Sequence, residues 1–153
     1  MEKYGLIGAR NIKAGLVILA LALLGGLAMS LYSFVPLVRV PEGLVHYDDL
    51  PRRLLRLAHV AAVMVPLLNI LCGLLLDRLR LSLVAKRLAS ILLLAGAIGL
   101  PLALGAEALS VFAREGHVAG PPAVALTLGG ALVTIGALRT PGEELLGMNT
   151  SLR

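Results

Sequence analysis

Tryptophan is absent from this chain of 153 residues, and three tyrosines and two phenylalanines make up its aromatic content. So few rings offer no stacking platform for bases. No basic cluster lies away from the apolar runs, so nucleic acid is not expected as a partner. One cysteine, Cys72, excludes an intramolecular disulfide framework and a multi-cysteine zinc site. Charge is scarce: 15% of the residues are Asp, Glu, Lys or Arg, against about 25% in soluble domains. HExxH, GxSxG, P-loop and CxxC motifs are all missing, and no catalytic set takes their place. Nothing in the chain marks it as an enzyme.

What is present is apolar. Hydrophobic residues reach 58% and the mean hydropathy is +0.92, more than the core of a soluble 16.0 kDa domain can hide. The class that fits is an integral membrane protein. Four uncharged runs supply the spans: Ala14–Val38, Leu57–Leu76, Leu88–Ala106 and Val118–Leu138, of 25, 20, 19 and 21 residues. About 20 apolar residues at 1.5 Å each cross a hydrocarbon core of about 30 Å. The first run is too long for the apolar core of a secretory signal, about 7–15 residues, and reads as a true helix. Allowing for flanking turns, the expected helices cover about 14–37, 52–76, 88–107 and 118–138, with a short polar tail at 139–153. The fold class is therefore all-α, a four-transmembrane-helix bundle forming one membrane domain.

Lys and Arg set the threading. Lys3, Arg10, Lys13, Arg78, Arg80, Lys86, Arg87, Arg139 and Arg153 fall on one side, nine in all, against Arg39, Arg52, Arg53, Arg56 and Arg114 on the other. Both termini are expected on the cytoplasmic side, in a bacterial or archaeal inner membrane. Asp49-Leu50-Pro51 reads as the start of the second helix, with Asp49 as its cap. Pro141-Gly142 should stop the fourth. Small residues recur at spacing four in Ala22-Gly26-Ser30, Ala95-Gly99-Ala103 and Ala125-Gly129, with Gly130 and Thr134 beside the last pair. Such stripes let membrane helices approach closely. Pro66 and Pro101 interrupt the second and third spans. Asn69, near mid-span, needs a partner on another helix, and Cys72 reads as a small buried apolar group.

Chemistry-bearing residues gather at the non-cytoplasmic side. His46, His59 and His117 all fall there, with Glu107 at the end of the third span. In Arg52-Arg53-Leu54-Leu55-Arg56-Leu57-Ala58-His59 the spacings place Arg52, Arg56 and His59 on one helix face. Two guanidiniums above an imidazole suit a carboxylate or phosphate ligand. Haem b ligated by His59, with propionates on Arg52 and Arg56, is one reading. Its second ligand would come from His117, His46, Met29 or another subunit. A quinone or a lipid headgroup is another reading, and arginines at a helix end holding phospholipid is the plainest. A metal on His46, His59, His117 and Glu107 is a further candidate, although no short ligand motif supports it.

In layout, a small polytopic chain with one histidine at a helix mouth resembles the membrane anchor subunits of respiratory complexes. That resemblance implies an electron-transfer setting. The expected function is a small membrane subunit, non-catalytic by itself, within a larger complex. Its partners would be membrane lipids and either other subunits or further copies of itself. The alternatives are a small oligomeric transporter or channel, whose polar route would have to use Asn69, Ser30, Ser90, Thr127 and Thr134, and an outer-face metal-handling protein.

Overall fold

A computed structural model describes residues 7–33, 44, 46, 48–109 and 118–146. Those residues form four long helices, α1 (Ile7–Ser33), α2 (Leu50–Leu76), α3 (Leu83–Ala108) and α4 (Gly120–Arg139), and a final turn, α5 (Gly142–Leu145). All four long helices are long and apolar enough to cross a membrane.

Each long helix packs on its neighbour in the chain. α1 also reaches α3, while α4 lies on α3 and barely touches α2. Buried positions make up 39% and 33% of the apolar stretches of α2 and α3 but 11% and 17% of those of α1 and α4. α2 and α3 are therefore the centre, and α1 and α4 flank them.

α1 starts seven residues before the uncharged run that predicts it, taking Arg10 and Lys13 into its first turns. The reason lies in its packing face. Its buried residues are Gly8, Asn11, Gly15 and Ala22, the alternating three-and-four spacing of a left-handed helix seam once half-buried Ile18 is included. Gly8 meets α2 at Gly73, and a Cβ on Gly8 would lie 2.0 Å from the Gly73 carbonyl oxygen. Only glycine fits so near another backbone. Its N–H, one of the donors a helix start leaves over, is taken by Asp77 Oδ2 at 3.1 Å.

Asp49 stands at the cap position of α2, but its side chain makes no capping bond. A capping side chain accepts from the N–H of the second or third helical residue; the second here is Pro51, which has no N–H, and that leaves only Arg52 as a possible donor. Asp49 Oδ2 instead accepts the His46 N–H at 3.0 Å. α3 is capped conventionally, Ser82 accepting from Ala85 N–H.

The small-residue stripes hold in part. Gly26 and Ala22 face α2 and the interior, and Gly99 meets Pro122 of α4. Ala95, however, is exposed, and α3 meets α4 through Gly96 against Leu126 and through Gly129 against Leu92 and Leu93. Gly130 faces open space. The contact line on α3 is thus turned by one residue, because buried Leu93 and Ala97 set the face.

Two apolar clusters fill the interior. One, toward the α2–α3 loop, contains Cys72, Leu76, Leu79, Ala89, Leu93 and Val133. The other, toward the start of α2, contains Ala58, Ala61, Val65, Ala97 and Leu104. α4 ends before Pro141 as expected, and the segment beyond folds back on the α2–α3 loop. Thr140 Oγ1 accepts the Arg80 N–H at 2.8 Å, Arg78 donates to the Leu145 carbonyl at 2.9 Å, and Arg80 pairs with Glu144.

Candidate functional site

The molecule has a Asp77 end, where α1 begins and α2 finishes, and an opposite His59 end. Polar chemistry is distributed very differently between them.

At the Asp77 end three helices meet in a buried polar knot. Asn11, Asn69 and Ser90, from α1, α2 and α3, are all fully buried. Asn11 Nδ2 donates to Asn69 Oδ1 at 2.7 Å and to the Ser90 carbonyl at 3.3 Å. Asn69 Nδ2 donates to the Asn11 carbonyl at 3.0 Å. The Ser90 hydroxyl donates to Asn11 Oδ1 and accepts from Arg10 Nη2 at 2.9 Å. Asn69 therefore has the interhelix partner its mid-span position demands. Among the described residues no buried side-chain polar atom lacks a partner. Each polar side-chain atom of the knot has a partner within it.

Sequence reasoning missed Asn11. It sits between Arg10 and Lys13, outside the uncharged run, although its place in the Gly8-Asn11-Gly15-Ile18-Ala22 spacing marks it as inward-facing. Of the remaining polar groups in the spans, Ser30, Thr127 and Thr134 each donate to a carbonyl of their own helix, at 2.6, 2.9 and 3.0 Å. They do not line a common path.

At the His59 end the imidazole is half-buried and rests on α1. A Cβ built on Gly26 would stand 2.7 Å from His59 Cε1 and 2.9 Å from Nε2. The glycine is thus the seat of the ring. Arg56 and Arg52 follow one and two turns nearer the start of α2, both half-buried and both engaged in interactions. Arg52 Nη1 donates to the carbonyl of buried Leu44 at 3.3 Å, which ties the preceding loop down onto the helix. Two cations and an imidazole on one face suit an anion with oxygen acceptors.

The ring's orientation bears on haem. The Cε1–Nε2 edge faces the α1 backbone, so an iron on Nε2 would have to displace α1 or draw the ring off Gly26. This arrangement suits a small headgroup beside the arginines better than a macrocycle on the histidine.

His46 is exposed, with its backbone N–H on Asp49. Glu107 Oε1 accepts the Ala119 N–H at 3.1 Å and so joins the end of α3 to the start of α4. His117 lies outside the described residues. Among the described residues no three His, Cys, Asp or Glu side chains stand together in a way that could hold a metal ion.

Comparison of the chain with protein-family models, with curated proteins and with solved structures finds no match.

Proposed function

We propose that this chain is a small integral membrane subunit, non-catalytic by itself, that assembles with lipids and neighbouring subunits and offers an anion-binding site at the His59 end of α2. The observation that carries the reading is the contrast between interior and exterior. Inside, the polar groups are spent on one another in the Asn11–Asn69–Ser90 knot. Outside, α1 and α4 turn large apolar side chains outward along their length, among them Leu16, Leu24 and Leu27 on α1 and Val124, Leu128 and Ile135 on α4. In water such a surface would aggregate; in a bilayer it meets lipid tails or other helices.

The same contrast weighs against a transporter formed by one copy, because the five polar span residues either close the knot or satisfy their own helices. The threading follows from charge: with nine Lys and Arg against five, the Asp77 end faces the cytoplasm. His59, Arg52 and Arg56 then stand at the opposite headgroup level. Anionic headgroups supply the ligand chemistry there, and the arginines, which run against the positive-inside trend, supply its counter-charge.

Purification from native membranes in a mild detergent tests the subunit reading. Stoichiometric partner proteins are expected. A lone homo-oligomer that moves solute when reconstituted in liposomes would overturn it. The colour of the same preparation tests the electron-transfer setting: a Soret band lost in His59→Ala would bring haem back.

A further inference from the structure

At the Asp77 end one cation crosses between helices. Arg10 Nη2 donates to the Ser90 hydroxyl at 2.9 Å, which carries the α1 guanidinium over to α3. A guanidinium has several donors, and Arg10 makes no other bond or ion pair among the described residues. The side chain is exposed. It leaves α1 about 100° round from buried Asn11 and so reaches Ser90 from the outer side of the seam. Ser90 is bracketed on its own helix. Lys86, four residues before it, turns to α2, where its Nζ donates to the Asp77 carbonyl at 2.8 Å. Arg87, three residues before it, lies about 100° further round and is exposed. Residues three apart on a helix have Cβ atoms about 5–6 Å apart, so the Arg87 side chain starts beside the hydroxyl that holds Arg10. Arg87 has no hydrogen bond or ion pair among the described residues.

Two guanidiniums from two helices thus converge on one seam, and among the described residues no carboxylate pairs with either. Asp77 Oδ2 is taken by the Gly8 N–H, on a face of α1 about 160° away from Arg10. Glu144 is paired with Arg80. Like charges held this close repel unless an anion stands between them. The uncharged runs of α1 and α3 begin at Ala14 and Leu88, which sets both guanidiniums at the edge of the hydrocarbon. Past that edge the same two faces are apolar and exposed. Val17 and Leu21 stand above Arg10, seven and eleven residues on, and Ile91 and Ile98 above Arg87, four and eleven residues on. Phosphate oxygens suit the planar forks. A free phosphate has those oxygens, but it has nothing to lay along the apolar strip. A zwitterionic headgroup brings a cation of its own to a seam that already has two.

We propose that the α1–α3 seam at the Asp77 end binds one anionic phospholipid, its phosphate between Arg10 and Arg87 and its acyl chains outward along Val17, Leu21, Ile91 and Ile98. Basic pockets between spans hold anionic headgroups in this way, and Ser90 positions the Arg10 fork for the phosphate. This site is separate from the one at the His59 end and shares with it only the membrane setting.

The test counts lipids kept by the purified full-length protein in mixed micelles of phosphatidylglycerol and phosphatidylcholine, by native mass spectrometry. Arg10→Gln and Arg87→Gln should each weaken the hold on one phosphatidylglycerol about fivefold, the share of one arginine near an anionic surface, so that one fewer is kept than by wild type. Arg87 bonds to nothing in the described protein, so its variant probes the site without touching the fold. Arg139→Gln removes an exposed cation from the same end but from α4, and should lose no lipid. The loss of one lipid is expected whether or not the His59 end holds another, and Arg52→Ala with Arg56→Ala should leave the Asp77-end lipid in place, so the two sites fail separately. Wild-type retention in Arg87→Gln would overturn the proposal. So would an Arg139→Gln loss equal to that of Arg87→Gln, which would mean attraction by total charge. Millimolar inorganic phosphate should not displace the lipid; displacement would assign the seam to a free anion and overturn the phospholipid.

Discussion

The polar knot makes the most quantitative prediction. Replacing Asn69 with Ala removes two hydrogen bonds, the 2.7 Å bond it accepts from Asn11 and the 3.0 Å bond it donates to the Asn11 carbonyl. Interhelical hydrogen bonds between membrane helices contribute on average about 0.6 kcal/mol and at most about 1.7 kcal/mol. Two of them give about 1–3 kcal/mol. Asn11→Ala removes three, its bond to Asn69 Oδ1 and its bonds with the carbonyl and hydroxyl of Ser90, and leaves the bond from Asn69 to the residue 11 carbonyl in place. It should therefore cost more than Asn69→Ala. Only the amide-to-amide bond is shared by the two side chains, so the two single costs should exceed the double cost by about 0.6–1.7 kcal/mol, the coupling expected of one such bond. Reversible unfolding of the detergent-solubilised protein by graded denaturing detergent, followed by far-UV circular dichroism, reads all four corners of the cycle. Costs that simply add would mean that the two amides do not bond, and the account of how α1 is held to α2 and α3 would be wrong.

Three further outcomes follow from single contacts. Gly8→Ala places a methyl 2.0 Å from a backbone carbonyl oxygen, which has nowhere to go; it should lower stability by about 3 kcal/mol, the upper end of overpacking costs, in the same unfolding assay. Gly26→Ala pushes a methyl to 2.7 Å from His59 Cε1, a side chain that can swing away; the loss should be smaller, about 1 kcal/mol, and should vanish in a His59→Ala background. Arg80's hydrogen bond, with its charge, holds the exposed Glu144 carboxyl below the usual glutamate range, and the same bond pushes the Arg80 guanidinium up. A depressed carboxyl stabilises above its unfolded value and loses that contribution as pH falls through its folded value. Proteolysis of the segment after Pro141 should thus quicken only below about pH 4, the ordinary glutamate range, and Glu144→Gln should remove that pH dependence.

Continuity of apolar sequence was a good guide to how many helices there are and a poor guide to where the first one starts. Runs free of charge stop at Lys13, yet a helix carries Arg and Lys easily when their long side chains reach past its rim. Arg10 does this, its guanidinium ending on the Ser90 hydroxyl. Turn chemistry was legible at both Pro51 and Pro141, although Pro51 also removed one of the two N–H groups that Asp49 could have capped. Small-residue spacing found the α1 face but slipped by one residue on α3, where Ala95, Gly96 and Ala97 are all small and only the long-range fit of Leu93 and Leu126 chooses between them. Helix-face arithmetic placed Arg52, Arg56 and His59 together. It could not foresee that the ring would turn onto Gly26, because that depends on the height at which α1 passes α2.

The two ends of the molecule are built for different work. At the Asp77 end the helices are cross-linked by the Asn knot, by Asp77 on Gly8, by Lys86 on the Asp77 carbonyl and by the Arg80–Glu144 clamp. At the His59 end, between α1 and α2, the bonding gives way to a ring resting on a glycine, and α1 and α3 stand apart around an apolar groove. Local opening is least costly where buried contacts are fewest, so the upper half of α1 is the part of the frame that can yield to a ligand. A ligand bound there would leave the knot below undisturbed. That ordering can be read by hydrogen exchange: amides of α1 beyond Ala22 should exchange faster than those between Gly8 and Gly15, and added phosphatidylglycerol should slow the first set. Equal protection along α1 would contradict the division between a rigid base and a yielding mouth.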